Sequence, residues 1–328
     1  MKCVLDSARS RLRTDTPPMQ QIVITENMDA PAVALLAREF RVDYRPGLVD
    51  DPPAMLKALA LADAWIVRNR TQVRGEALAA AARLRVVGRL GVGLDNIDTE
   101  ACRARGIAVI PATGANAESV AEYVVGMAMI LLRGAAYLST AAVAAGRWPR
   151  QILSQGRETS GKTLGLVGFG SIGRVTAGKA RALGMHVVGA DPALAGDDPA
   201  WREAGVEPLG LDELLARSDV VSLHLPLLAA TRGLIGAERL ARMKPGAILV
   251  NAARGGIVDE TALARALKEG RLAGAALDVF DREPLAAGSV LADAPNLILT
   301  PHVAGVTAEA NVRVSRLIAE RVADCLRG

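Results

Sequence analysis

The sequence predicts an α/β protein with two open parallel sheets, each covered by helices on both faces. Short apolar runs that suit buried strands alternate with helical segments along most of the 328 residues. Apolar residues make up 51% of the chain and aromatic residues only 3%, as expected for closely packed helices and strands. A glycine-rich turn near the middle opens a second strand–helix series, so we expect two domains.

The first series begins at Ile22 and ends before the glycine-rich turn. Its predicted strands are residues 22–25, 42–44, 64–68, 86–90 and 107–111. Helices are predicted between them at residues 31–39, 52–61, 75–82 and 99–105. This alternation is typical of a parallel sheet with crossover helices.

The second series opens on a G-x-G-x-x-G motif formed by Gly168, Gly170 and Gly173. An apolar strand, 164–169, runs into it, and a helix, 172–183, leaves it. Gly168 permits a tight turn, Gly170 lets the backbone approach a pyrophosphate, and Gly173 lets the helix pack closely on the strand. A diphosphate then lies at the helix N-terminus, where the helix dipole favours negative charge.

A second predicted strand, 186–190, ends in Asp191, about twenty residues beyond the glycines. An acid at this point bonds the ribose 2'-hydroxyl of a dinucleotide and repels the 2'-phosphate of NADP. The motif therefore predicts an NAD site. The alternative is a purely structural corner in which Asp191 is a turn residue before Pro192.

The rest of the second series follows the same alternation. A helical stretch over 118–132, or as far as 145, is apolar on nearly all sides, so we expect it to be buried between domains or in a subunit interface. Trp148 lies in an irregular segment, and one interpretation is that it anchors its own loop. The remaining predicted elements are strands 220–225, 247–252, 274–279 and 297–301 and a final helix, 307–326.

Composition argues against several functional classes. The formal net charge is +4, and the basic residues are scattered among acids, which does not favour a nucleic-acid partner. Cys3, Cys102 and Cys325 form no disulfide framework or metal-binding pattern, which suits a reducing, cytoplasmic compartment. The longest apolar run, 124–132, is too short to span a bilayer, and residues 1–19 are expected to be a disordered extension without a leader pattern.

Candidate catalytic groups follow the predicted strands, because open α/β sheets bind ligands beyond the carboxyl ends of their strands. Of the three histidines, His186 starts its strand and is interpreted as structural. His224 either lines a cofactor site or is simply packed. His302 follows a strand and is the best acid/base candidate, since histidine titrates near neutrality.

Three side chains match the needs of 2-oxo acid reduction by NADH. Arg254 offers a guanidinium fork for a carboxylate, and His302 offers a proton for the carbonyl oxygen. Glu283 could bond the imidazole and keep it protonated. The alternatives are a helix-cap or surface role for Arg254 and an exposed turn role for Glu283 before Pro284.

The motifs at 168–173, 251–259, 276–284 and 300–305 resemble those of the D-isomer-specific 2-hydroxyacid dehydrogenases. The resemblance implies a Rossmann NAD-binding domain over 117–302. It also implies a discontinuous, flavodoxin-like substrate-binding domain formed by 20–116 and 303–328, and a homodimer in which a tryptophan near Trp148 reaches the neighbouring subunit.

By position, the resemblance makes Arg254 the substrate-carboxylate arginine, His302 the general acid/base and Glu283 its partner acid. The positions implied to bind NAD are Gly168, Gly170, Ser171, Ile172, Gly173, Asp191, Leu225, Pro226, Thr231, Ala252, Ala253, Arg254, Asp278, His302 and Gly305. The positions implied to bind substrate are Arg68, Asn69, Gly91, Val92, Asn116 and Arg254.

The residues 68–71 match the family's Arg-Ser-x-Thr loop, with Asn69 in place of the usual serine. Together with Arg70 and Arg89, Arg68 suggests a substrate with a second anionic group. Within the family the chain is most similar to members that act on D-3-phosphoglycerate, without the C-terminal regulatory domain that some of them carry. The alternatives are 3-sulfolactate oxidation, hydroxypyruvate or glyoxylate reduction, and the NAD-sensing co-repressors that keep this fold, whereas Glu283 argues against a formate dehydrogenase.

Overall fold

The computed structural model describes residues 19–134 and 139–328. Contacts divide the chain into two compact units. The first contains the residues up to Leu90, Leu94–Ile110 and Ile318–Gly328, and the second contains Gly91–Gly93 and Pro111–Leu317. The domain limits drawn from the sequence remain a prediction, and the expected N-terminal extension lies outside the described residues except for Met19.

The first unit is built on a five-stranded sheet of order β2-β1-β3-β4-β5, with parallel pairing from β2 through β4. All residues of β1 and β3 are buried, as in a sheet covered on both faces. The strands are β1 (Gln21–Ile24), β2 (Arg41–Tyr44), β3 (Ala64–Val67), β4 (Val86–Arg89) and β5 (Ala108–Pro111), and the helices are α1 (Ala30–Leu36), α2 (Pro52–Leu59), α3 (Gly75–Ala80) and α4 (Thr99–Ala104).

The C-terminal helix α13 (Ala308–Arg327) is divided between the units, since its last part is grouped with the first unit. A Cβ atom at Gly88, in β4, would come within 2.8 Å of the side chains of Ile318 and Val322. The helix therefore packs directly on the backbone of the sheet, and the glycine makes that close approach possible.

The second unit is built on a seven-stranded sheet of order β12-β11-β10-β9-β6-β7-β8, in which the strand pairs are parallel. The chain begins this sheet at β6, adds β7 and β8 on one side, and then crosses to β9 on the other. The order reverses between β6 and β9, which makes their carboxyl ends the topological switch point where such sheets bind ligands. The strands are β6 (Thr163–Val167), β7 (His186–Ala190), β8 (Glu207–Pro208), β9 (Val220–Leu223), β10 (Ala247–Asn251), β11 (Leu272–Leu277) and β12 (Leu297–Leu299).

Most helices of the second unit pack against this sheet. The helices of the unit are α5 (Ala117–Leu132), α6 (Thr140–Ala144), α7 (Arg150–Leu153), α8 (Ser171–Ala182), α9 (Pro199–Ala204), α10 (Leu211–Arg217), α11 (Ala237–Arg242) and α12 (Glu260–Lys268). The possible extension of α5 to residue 145 is wrong, because the helix ends at Leu132 and Gly134 takes a left-handed φ of 61°. None of the described helices combines the length and the apolar character that a membrane crossing requires.

Candidate active site

The glycine-rich turn lies at the switch point of the second sheet, directly after β6. Gly168 has a φ of 99°, and a Cβ atom there would lie 2.5 Å from the carbonyl oxygen of His224, which follows β9. A Cβ at Gly173 would lie 2.5 Å from the carbonyl oxygen of Gly168. Both positions therefore require glycine for close packing of strand, turn and helix.

Gly170 differs from the other two glycines because the space around it is open. It precedes the first residue of α8, and no atom lies within 4 Å of its ideal Cβ position. The first turn of α8 carries no acidic residue. An open backbone surface at the N-terminus of a helix whose first turn carries no acidic residue fits the pyrophosphate of a dinucleotide.

Asp191 follows β7 and lies beside the same turn. Its Oδ2 atom accepts a hydrogen bond from the Phe169 amide at 2.7 Å, and Oδ1 accepts one from the Ala193 amide at 2.9 Å. These two bonds fix the carboxylate next to the glycine motif. Each carboxylate oxygen can accept a further bond, so the group suits a ribose hydroxyl.

The segment after β9 forms the opposite side of the switch point. The Thr231 hydroxyl donates to the Pro226 carbonyl at 2.7 Å and accepts from the Leu228 amide at 2.7 Å, which closes the turn. The Leu225 side chain would contact a Cβ at Gly168 at 3.1 Å. The structure therefore brings the predicted positions Leu225 and Pro226 close to the glycine motif.

His302 and Glu283 form a direct pair. The His302 Nδ1 atom lies 2.8 Å from Glu283 Oε2, and the other carboxylate oxygen accepts the Phe280 amide at 3.1 Å. Both side chains are partly exposed, at 42% and 37%. The pair occupies Nδ1 and leaves Nε2 as the nitrogen that can exchange a proton with a substrate.

Asp278, predicted as a cofactor contact, holds the histidine segment from inside. The residue is 1% exposed, and its carboxylate accepts the amides of Val303 and Ala304, each at 2.8 Å. The Thr300 hydroxyl donates to the same carboxylate at 2.6 Å and lies 2.8 Å from the Tyr123 hydroxyl. Sequence reasoning missed Thr300 and Tyr123, because only the fold brings α5 against the end of β12.

The turn after β10 carries Arg254, and contacts with two other residues hold it in place. Asn251, 1% exposed, accepts the Ala253 amide at 3.1 Å and donates to the Arg254 carbonyl at 3.0 Å. A Cβ at Gly255 would lie 1.7 Å from the Phe280 carbonyl oxygen, so the turn contacts the segment that leads to Glu283. Arg254, Glu283 and His302 are therefore carried by neighbouring segments at the carboxyl edge of one sheet.

Asn116 and Gly305 lie in contact in the second unit. The Asn116 Nδ2 atom would be 2.5 Å from a Cβ at Gly305, which therefore allows the close approach. The Asn116 Oδ1 atom is buried and has no hydrogen-bond partner among the described residues. Of the other predicted positions in this unit, Ala252 is half-buried, Ala253 is buried, and Ser171 and Ile172 form the start of α8.

The 68–71 loop belongs to the first unit and follows β3. Two buried side chains support it: Glu26 bonds its amides, and Asn96 bonds its carbonyls. Burial lowers the pKa of the Arg68 guanidinium, and the nearby charge of Glu26 opposes that shift. Arg70 is ion-paired with Asp50 at the surface. Neither Glu26 nor Asn96 was named as a site residue from the sequence, because their role depends on contacts with a loop distant in the chain.

The remaining predicted substrate positions are Asn69, Gly91 and Val92. Asn69 is on the 68–71 loop of the first unit. Gly91 and Val92 are grouped with the second unit, where the Gly91 carbonyl accepts the Ala112 amide at 2.8 Å. The predicted substrate positions therefore belong to both units.

The chain is similar in sequence to known proteins. Residues 125–304 match the family model described as D-isomer specific 2-hydroxyacid dehydrogenase, NAD binding domain. The chain is 54% identical over 304 residues to an (S)-sulfolactate dehydrogenase of Chromohalobacter salexigens, a match that covers 93% of this chain and 97% of that protein. It is 42% identical to a D-3-phosphoglycerate dehydrogenase of Mycobacterium leprae, over 94% of this chain and 57% of that protein.

A solved structure has the same fold. The TT0316 protein from Thermus thermophilus superposes with a TM-score of 0.84 at 34% identity, over 94% of this chain and 97% of that chain. The fold, the NAD-binding family model and the level of identity agree with each other. The chain therefore belongs to the D-isomer-specific 2-hydroxyacid dehydrogenase family and is an NAD-dependent oxidoreductase.

Proposed function

We propose that this protein is an NAD-dependent dehydrogenase of (S)-3-sulfolactate, which interconverts that acid and 3-sulfopyruvate. The observation that carries the proposal is the 54% identity of this chain to an (S)-sulfolactate dehydrogenase. The match covers 97% of the length of that relative. D-3-phosphoglycerate, favoured by the sequence motifs, is the second candidate, and the relatives that carry its name are less similar.

The stereochemistry of sulfolactate agrees with a D-specific family. At C2 of sulfolactate, the carbon that bears sulfur takes priority over the carboxylate. In D-3-phosphoglycerate, the carboxylate takes priority over the carbon that bears oxygen. The same spatial arrangement is therefore called (S) in the first acid and (R) in the second, and one site geometry serves both.

His302 is the proposed acid/base. During oxidation, its Nε2 atom accepts the proton of the 2-hydroxyl group, and in reduction it returns that proton to the carbonyl oxygen. Glu283 accepts a hydrogen bond from Nδ1, which fixes the ring orientation and stabilises the imidazolium when it forms. The short distance between the two side chains supports these roles.

Arg254 is the proposed carboxylate-binding residue, because a guanidinium can bind both oxygens of a carboxylate. The residues that would hold NAD are the glycine motif, 168–173, with its helix N-terminus, and Asp191 beside it. When bound there, NAD supplies the hydride acceptor at C4 of its nicotinamide. The turn built by Asn251 and Gly255 holds Arg254 at the same edge of the sheet.

The 68–71 loop is proposed to recognise the second anion of the substrate. Arg70 is exposed and paired with Asp50, whereas Arg68 is half-buried directly after β3 and donates to the Asn27 carbonyl at 3.2 Å. We assign the anion to Arg68. A single guanidinium matches the single charge of a sulfonate better than the charge of about −2 on a phosphate.

A homodimer and a cytoplasmic location are also proposed. Trp148 is 77% exposed, and it lines a shallow apolar cavity of about 280 Å³ with Val143 and Leu153. Met129 on α5 is exposed as well. Such surfaces support contact with a second copy of the chain. Cys102 and Cys325 are free thiols, which supports a reducing compartment.

NADH oxidation on four 2-oxo acids tests the substrate. We expect the highest kcat/KM on 3-sulfopyruvate, with lower values on 3-phosphohydroxypyruvate, hydroxypyruvate and glyoxylate at equal concentration. NADPH is the control, and Asp191 should make it a poor donor. A higher kcat/KM on 3-phosphohydroxypyruvate would replace the proposed substrate, and similar weak rates on all four acids would contradict selection of a second anion.

His302→Ala tests the chemistry. We expect kcat to fall by about 10² to 10⁴, because the proton loses its carrier, while the variant still binds NADH in a fluorescence titration. The matched control is His186→Ala, since His186 is exposed at the start of β7, far along the strand from the switch point. Full activity of His302→Ala would refute the assignment.

A further inference from the structure

We propose that Glu26 and Asn96 are positioning residues that set substrate selectivity through the 68–71 loop. The inference rests on the proposed role of that loop in binding the second anion. Neither residue is on the loop, and Glu26 comes just after β1 whereas Asn96 lies between β4 and α4. Both are buried, at 5% and 6% exposure.

Glu26 bonds the loop through its amides. Its Oε1 atom accepts from the Arg68 amide at 2.8 Å and from the Thr71 amide at 3.1 Å, and Oε2 accepts from the Arg70 amide at 3.1 Å. A carboxylate that accepts several amides forms strong, charge-assisted bonds. The buried charge thereby fixes the backbone of three of the four loop residues.

Asn96 bonds the loop through its carbonyls. Its Nδ2 atom donates to the Thr71 carbonyl at 2.7 Å and to the Arg68 carbonyl at 3.1 Å. The Thr71 hydroxyl also lies 3.0 Å from the buried hydroxyl of Thr25. Both ends of the loop are therefore held from the protein interior.

This arrangement determines how the loop can recognise an anion. The amides of Arg68, Arg70 and Thr71 point to Glu26 and so do not form a backbone site for a sulfonate or phosphate. Recognition by the loop then depends on Asn69 and on the Arg68 side chain, which donates to the Asn27 carbonyl at 3.2 Å. Its direction follows from the backbone that Glu26 and Asn96 hold, so loosening that backbone should weaken binding of the second anion and leave the chemistry intact.

Glu26→Gln is the direct test. The substitution keeps the shape of the side chain but replaces one acceptor oxygen by a donor, so at least one loop amide loses its partner. We expect KM for 3-sulfopyruvate to rise about tenfold with kcat nearly unchanged. For glyoxylate, which has no third carbon, kcat/KM should stay as in the wild type. NADH affinity should also be unchanged.

Two further variants separate positioning from general loss of stability. Asn96→Asp replaces the donor by an acceptor that faces two carbonyls, and it should reproduce the same change in KM. If Glu26→Gln does not fold, Asn96→Asp tests the inference by itself. The matched control is Asp63→Asn, since Asp63 is equally buried in the same unit and accepts the Gln21 amide at 2.8 Å, at the opposite end of β3. It should lower Tm without changing the ratio of kcat/KM for 3-sulfopyruvate to that for glyoxylate.

The ratio of kcat/KM for 3-sulfopyruvate to kcat/KM for glyoxylate decides the outcome. A tenfold fall of this ratio in Glu26→Gln and Asn96→Asp, but not in Asp63→Asn, supports the inference. An unchanged ratio in the loop variants, or an equal fall in Asp63→Asn, overturns it. Failure of the proposed function is visible already in the wild type, as an absence of preference for an acid with a second anion. If the wild type prefers 3-phosphohydroxypyruvate, the substrate is reassigned and the same ratio is measured with that acid.

Discussion

His302 and His224 lie in the same unit, but their surroundings differ. His302 is paired with a carboxylate and partly exposed, whereas His224 is largely enclosed and its Nε2 atom lies 3.0 Å from the Ser222 hydroxyl. Burial lowers the pKa of His224 from 6.5 to about 4, because the interior disfavours the charged imidazolium. His224 is therefore neutral at physiological pH and does not compete with His302 as the acid/base.

His224 should make the folded protein sensitive to acid. Between pH 6.5 and about 4, the unfolded chain binds a proton at this residue that the folded chain does not, so stability falls as pH decreases. The slope from this group is at most about 1.4 kcal/mol per pH unit. Urea unfolding at several pH values should show a shallower decline for His224→Gln than for the wild type.

The exposed His186 supplies the matched control. His186→Gln should keep the wild-type pH dependence of unfolding. An identical slope for His224→Gln and the wild type would show that His224 titrates normally in the folded protein.

At the scale of the element, the turn after β10 is packed against the segment after β11. Gly255→Ala would force the methyl group into the Phe280 carbonyl oxygen. We expect the free energy of unfolding to fall by about 1–3 kcal/mol, as for other overpacked sites. Because the turn carries Arg254, kcat/KM should fall as well when it is measured well below Tm.

Gly178→Ala is the control for that substitution. Gly178 is an exposed residue of α8 with open space at its Cβ position, so alanine should raise stability slightly by favouring the helix. If Gly255→Ala is as stable and active as the wild type, the two segments do not pack as described.

The sequence predicted some strands and helices more accurately than others. The apolar runs predicted most strand centres, because burial on both faces leaves a continuous apolar signature in the chain. β8 was missed, since Glu207–Pro208 is too short to show a pattern. α5 ends earlier than its apolar composition allows, because the left-handed Gly134 interrupts the helix. α5 is also not buried on all sides within the chain, as Met129 shows.

At the scale of the whole molecule, the exposed tryptophan leads to a prediction about assembly. Trp148→Ser should lower the dimer fraction at a given concentration, because it removes a large apolar side chain from the proposed interface. Sedimentation velocity over a range of concentrations measures this. Leu61→Ser, which changes an exposed apolar residue of the first unit, is the control and should leave the distribution unchanged. A wild-type monomer at all concentrations would contradict the proposal.

The sequence by itself determined the α/β class, the glycine motif, Asp191 and the candidates Arg254, Glu283 and His302. These features depend on residue types at short spacing, where backbone geometry limits the possible structures. Only the tertiary structure decided the strand order that puts β6 beside β9, the contact of Gly255 with Phe280 and the support of the 68–71 loop by Glu26 and Asn96. The physical reason is that these partners are distant in the chain. Glu26, for example, is 42 residues from Arg68, and a buried carboxylate acquires its role from the amides that folding brings to it.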